Sequence, residues 1–346
     1  MLRFCSIVLS VILLASVANA ADSGTLLVLN KSDNTVSLID LASRKVIATV
    51  STGVGPHEVA VSPDGKLAVV ANYGAQTPGN SLTVIDIPSK QAVKTIDLGE
   101  YRRPHGIVWL KGNEIALTSE ASKALLIVDV NTGKVSRNTV TDQNVSHMVV
   151  VSPKHNRAFV ANIGSGSVTV IDLKTMAKVV DVQTGAGAEG IDISPDEKEV
   201  WISNRAANTV SVIDTTSTKV VANLESKDFP IRVKFTPDGK HVLVSNARSG
   251  DVAIFDAASK KEIRRVSMEV KANESSNSGA RLFGNQFGQS PVPVGILVAP
   301  GLAHAFVANT NADIVTMINL QTWQIVDRLV AGKEPDGLGY SKLTVK

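Results

Sequence analysis

Five ionisable residues share one place in a recurring unit. Asp336, His57, His105, His147 and Glu189 each stand second in a short run: PDGLGYS, PHEVAVS, PHGIVW, SHMVVVS and AEGIDIS. Ile231 and Val294 hold that place in two further runs, PIRVKF and PVGILV. A position that serves only the fold of a repeat should carry one residue type throughout. This one is polar in five adjacent units and apolar in two. Three neutral imidazoles flanked by carboxylates suit one divalent transition metal (Zn, Cu, Fe or Mn), with His57, His105 and His147 as ligands and Glu189 or Asp336 completing the set. The imidazole count favours Zn or Cu. The bland alternative has the histidines hydrogen-bonding backbone between repeats, because strand side chains can also face a neighbouring repeat.

Further candidates surround these five. Glu58, next to His57, is placed to act as a base. Tyr73, Glu120 and Arg205 directly follow the Asn or Ser that ends the second run of their units. Glu120 is the second catalytic candidate; Tyr73 and Arg205 are ligand-binding candidates, with a solvated loop residue as the alternative. Arg232, next to Ile231, suits two-pronged binding of an anion or a structural ion pair. Other chemistries lack their motifs. The chain has no GxSxG elbow, no HExxH and no phosphate-cradling loop. Ser146 and His147 are neighbours on a strand and point apart, so they form no dyad.

The elements that must position these residues follow from the repeat. Each unit has four short β-branched runs, separated by an SPDG-type turn, an Asn-rich loop and an Asp-x-x-[ST] turn, as in SPKHNRAFVANIGSGSVTVIDLKTMAKVVDV. The first-run positions recur every 42 residues, except for 48 between His57 and His105 and 63 across the insertion at 271–291. Four strands in about 42 residues is a propeller blade. The spacing predicts an all-β, seven-bladed β-propeller of four-stranded antiparallel blades. Residues 25–50 supply only second, third and fourth strands, and EPDGLGYSK near the C-terminus supplies a lone first strand. Pairing the two closes the ring. The recurrent acids Asp40, Asp86, Asp129, Asp172, Asp214 and Asp256, with Asn319, read as turn-capping groups and not as a catalytic set.

MLRFCSIVLSVILLASVANA reads as a signal peptide: Arg3, an apolar stretch, then Ala18-Asn19-Ala20. Cleavage is expected near Ala20, giving a periplasmic or secreted protein with residues 21–346 as a single propeller. Cys5 is the only cysteine, so no thiolate metal site or c-type haem is expected. No other run is long enough to span a membrane. Net charge is +3 and aromatics are 4%. That composition counts against nucleic-acid binding, although Arg102 and Arg103 sit near the histidine mouth.

The VANxGxxxVTVIDLxTxxKVVxVxTG pattern at 160–185, with its SPDG turns, resembles the YVTN-repeat (YncE-like) β-propellers, and more distantly the propellers of haem d1 nitrite reductase and amine dehydrogenase. The resemblance implies the fold and not one function. Together with the residues it supports a monomeric exported propeller that binds a small molecule or partner protein at the channel mouth. The alternative is a metal-dependent enzyme, a lactonase-like hydrolase or an oxidative enzyme. A further alternative, implied by the YncE likeness, is single-stranded DNA binding. The 271–291 insertion, carrying Phe283 and Phe287, is expected on the histidine face as a lid.

Overall fold

The computed structural model describes residues 22–270, 281, 283–284 and 286–345. The expected signal peptide and residues 271–280 lie outside them. Twenty-eight strands, β1 to β28 in chain order, form seven antiparallel four-stranded sheets. No helix is present among the described residues, and none is long and apolar enough to cross a membrane.

Blade 1 joins the two ends of the chain. Its order is β28 (Pro335–Ser341), β1 (Thr25–Asn30), β2 (Thr35–Asp40), β3 (Lys45–Ser51). Closure removes the free edge an open array would present. Two latches reinforce it. The Asp22 carboxylate accepts from the Ala303 N–H at 2.6 Å and faces His304 Nδ1 at 2.7 Å. Tyr340 Oη donates to the Ser23 carbonyl at 2.9 Å.

The core is made of layers between blades. Leu26, Val28 and Ile39 of blade 1 meet Phe306, Val315 and Met317 of blade 7, and the same interdigitation recurs around the ring. Alternation along each strand puts branched residues on both faces of the blade, which is why the second and third strands are almost wholly buried. The turn acids behave as read. Asp40 accepts from Ser43 N–H at 2.9 Å, Asp129 from Thr132 N–H at 2.6 Å and Asp214 from Ser217 N–H at 2.7 Å.

Three local devices shape the axis. The first strands are β28, β4 (Pro56–Val61), β8 (Pro104–Trp109), β12 (Ser146–Ser152), β16 (Ala188–Ile193), β20 (Pro230–Phe235) and β24 (Pro293–Leu297). They lie innermost and touch one another. Each is reached through a residue in the left-handed region, with φ of 55–77° at Gly55, Arg103, Val145, Gly187, Phe229, Val292 and Glu334. Each then shifts register near its start, as between Pro56 and Val59 or Ser146 and Val149. Such a bulge breaks strict alternation and re-aims side chains. Finally, Gly106, Gly190, Gly295 and Gly337 occupy the third position, where a Cβ would come within 2.1–2.6 Å of the next blade's main-chain oxygen. The other third positions are Glu58, Met148 and Arg232, and these reach into the axis.

Candidate functional site at the channel mouth

The mouth is two concentric rings. The inner ring is the second residue of each first strand. The outer ring is the residue after the second-strand Asn or Ser: Lys31, Tyr73, Glu120, Ile163, Arg205, Ala247 and Thr310. One backbone bond per blade sets their spacing. The outer-ring N–H donates to the carbonyl of the left-handed residue, as in Tyr73 to Gly55 (3.0 Å), Glu120 to Arg103 (3.0 Å) and Arg205 to Gly187 (2.9 Å). The neighbouring asparagines order these loops: Asn72 Nδ2 donates to Ser81 Oγ and Thr83 Oγ1, while its Oδ1 accepts from Gly53 N–H.

The three predicted imidazoles form a row. Ring centroids are 5.1 Å apart for His57 and His105, and 3.7 Å for His105 and His147. All three are buried. His57 Nδ1 lies 2.9 Å from the Gly55 carbonyl; a carbonyl only accepts, so the proton sits on Nδ1 and Nε2 keeps its lone pair. Burial, then the Lys31 ammonium, lowers the His57 pKa to about 3. Burial and the other two histidines push His105 well below its ordinary value, and its Nδ1 has no hydrogen-bond partner. His147 differs. Its Nδ1 meets the Glu120 carboxylate, and its Nε2 stands 3.4 Å from Glu189 Oε1 without a well-formed hydrogen bond. Burial opposes its charge, but Glu120 and Glu189 outweigh that and raise its pKa.

Glu120 is the residue the structure brings forward. Sequence placed it among loop candidates; here it is 7% exposed and lies against His147. Its Oε2 accepts from Tyr73 Oη at 2.5 Å. Burial and Glu120 together raise the Tyr73 pKa, so the phenol keeps its proton. Ligand atoms of His105, Glu120 and His147 all lie within 4.8 Å of one another. His57 is the adjoining imidazole, against the Tyr73 ring at 4.3 Å.

Glu189 and Asp336, also expected as ligands, are held by cations. Glu189 accepts from Arg205 Nη1 at 2.6 Å and from Arg232 Nη1 at 3.3 Å. Burial alone would raise its pKa; His147, Arg205 and Arg232 instead bring it to about 2. Asp336 faces Lys31 Nζ at 3.2 Å, and Lys31, then His57, lower its pKa against burial; its Oδ1 is unpartnered. Lys31 escaped the sequence reading, although its repeat position matches Tyr73, Glu120 and Arg205 and was the signal available. Glu58 and Arg232 turn into the axis and meet at 2.8 Å. Burial raises the Glu58 pKa, with Arg232 opposing. They form the floor of the mouth, and a cavity of about 290 Å³ continues along the channel past them, lined by Met148, Asp192 and Lys234 among others. A larger open depression of about 710 Å³ on blade 2, lined by Gly74–Ser81 with Val54 and Asn72, holds no ionisable side chain.

The two apolar inner-ring residues also find their reason. Ile231 and Val294 are packed beneath Phe287, with Phe229 and Phe283 alongside. Phe287 is 5% exposed and lies 4.9 Å from Phe229. Arg281 pairs with Asp313 through Nη2 to Oδ2 at 2.9 Å, and Ser290 Oγ donates to the Ala247 carbonyl at 2.5 Å. The described part of the insertion therefore docks on blades 6 and 7 at the histidine face and leaves the polar side of the mouth to blades 1 to 5.

Solved structures share this architecture at low identity. Hydrazine synthase of Kuenenia stuttgartiensis aligns with a TM-score of 0.65 and 20% identity, covering 82% of this chain and 88% of that one. A functionally unknown protein from Desulfotomaculum acetoxidans aligns with a TM-score of 0.73 and 11% identity, covering 92% and 99%. These likenesses speak for the fold alone. No curated protein matches the chain. A family model described as YNCE-like beta-propeller matches residues 11–114 and 108–276. With seven closed blades carrying the repeat, the chain belongs to the YncE-like β-propeller family.

Proposed function

We propose that this protein is an exported binding propeller whose channel mouth holds one divalent transition-metal ion on His105, Glu120 and His147. The observation that carries the reading is the buried cluster of their ligand atoms, all within 4.8 Å. His105 Nδ1 is left without a hydrogen-bond partner in it, and His147 Nε2 has only Glu189 Oε1, at 3.4 Å. An unsatisfied buried polar atom costs about 1–3 kcal/mol, which a metal bond offsets. Donors around a tetrahedral ion at about 2.0–2.1 Å lie roughly 3.4 Å apart, a separation within the span of the cluster. Two imidazoles and a carboxylate suit Zn, Fe or Cu. Uptake competes with the proton that Glu120 and Glu189 favour on His147, so affinity falls on acidification. An ion with an open position would activate water or a bound substrate, and hydrolytic and oxidative screens belong after the metal is found.

Export rests on the first twenty residues. Anchoring of the chain from Asp22 onward is consistent with cleavage just before it. The test is elemental analysis of protein purified from periplasm without a His-tag or chelator, with its intact mass read in parallel. About one equivalent of metal is expected in the wild type, with strong loss in His105→Ala/His147→Ala and in Glu120→Gln while the circular dichroism stays native. A mass starting at Ala21 is expected. No metal, even after reconstitution with Zn, Cu, Fe and Mn, would overturn the metal reading; a retained N-terminal segment would overturn export.

A further inference from the structure

The charges around the imidazole row do not cancel once a metal is added. Four carboxylates face the mouth: the buried Asp336, Glu189 and Glu120, and Glu58, whose side chain is 14% exposed. Three are already matched by cations, Asp336 by Lys31 at 3.2 Å, Glu58 by Arg232 at 2.8 Å and Glu189 by Arg205 at 2.6 Å. Glu120 alone is matched by no lysine or arginine among the described residues; its partners are His147 and the neutral Tyr73 hydroxyl. A divalent ion on two neutral imidazoles and Glu120 therefore leaves one net positive charge in a buried site. Protonating Glu58 would only increase it. Uncompensated buried charge is costly, so the loaded site calls for an anion.

The surroundings are built for one. The cation pairs bracket the imidazole row at both ends, Lys31 on blade 1 and Arg205 on blade 5. Arg205 spends one of its five N–H donors on Glu189, and Lys31 one of its three on Asp336; neither makes another side-chain hydrogen bond among the described residues. Arg205 is also the more open of the two, with its side chain 33% exposed, over the Phe229 ring at 5.3 Å. These donors lie at the solvent side of the mouth, because Glu58 and Arg232 close the axis beneath.

We infer that the ligand of this site is a small monoanion with an oxygen or nitrogen donor, bound to the metal at its open position and flanked by Lys31 and Arg205. The inference rests on the metal reading above, and one experiment separates the two. Mature protein is loaded with Co²⁺, whose visible d–d bands report coordination, and titrated with azide and with acetate, using acetamide as the neutral control. Saturable band changes with both anions and none with acetamide are expected. Lys31→Met and Arg205→Gln should each weaken azide binding by about tenfold. If protein-bound Co²⁺ bands appear but neither anion moves them, or acetamide moves them equally, the anion inference fails and the metal reading stands. If no protein-bound Co²⁺ band forms, or the same band persists in His105→Ala/His147→Ala, both fail.

Discussion

At the scale of single residues, the mouth shows how one fold sets three histidines to different tasks. His57 and His105 are neutral because burial denies them a proton, whereas His147 is flanked by two carboxylates that favour one. This has a measurable consequence for stability. His57 titrates ordinarily at 6.5 but at about 3 in the folded chain. Between those values the unfolded chain takes up a proton that the folded one refuses. The contribution is thus fully present above pH 6.5 and is lost as the pH falls toward 3. We expect His57→Gln, compared metal-free with wild type in denaturant titrations from pH 7 to 4, to flatten the acid loss by up to about 1.4 kcal/mol per pH unit. An unchanged slope would mean that His57 is already accessible to protons in the fold.

At the scale of the element, the first strand is where local strain and placement meet. A left-handed residue, then a bulge, presents inner-ring side chains to the mouth and lets Glu58 and Arg232 reach the axis. Glycine fills the left-handed position only at Gly55 and Gly187; Val145 and Val292 hold it with β-branched side chains. Left-handed backbone costs an L-residue about 1–2 kcal/mol, and asparagine tolerates it better than valine does. Val145 is 36% exposed and Val292 is fully buried in the cluster beneath Phe287. Val145→Asn should therefore raise stability by about 1 kcal/mol, while Val292→Asn should lower it by about 2 kcal/mol because packing is lost and an amide is buried. Urea midpoints decide it, and a loss in Val145→Asn would show that its side chain packs more than it strains.

At the scale of the whole molecule, Glu58 and Arg232 span the axis between blades 2 and 6, separated by 174 residues of sequence. The link joins opposite sides of a ring otherwise held by neighbour-to-neighbour layers. Removing one partner leaves a buried charge unmatched, at a cost of about 3–5 kcal/mol. Arg232→Met should show that loss in thermal or urea unfolding, with Glu58→Gln/Arg232→Met recovering part of it. Full recovery is not expected, since Arg232 also serves Glu189. Equal losses in the single and double variants would show that the pair does not act as a unit.

The blade count, the strand order, the shared blade 1 and the turn-capping acids were legible in the sequence, because a 42-residue repeat states each of them several times over. The inner ring was legible for the same reason: residues at one repeat position must converge when the ring closes. What pairs with what was decided only by tertiary structure. Asp336 and Glu189 looked like metal ligands beside the histidines, yet Lys31, unremarked in the sequence, and Arg205, read there as a ligand-binding candidate, hold them in ion pairs. Glu120 moved from loop candidate to the centre of the cluster because its blade leans it onto His147 of the next. The apolar gap at Ile231 and Val294 made sense once Phe287 was seen to cover it. Periodicity determines which residues share a ring; side-chain charge, reach and burial, which act between blades, determine which of them remain available to a ligand.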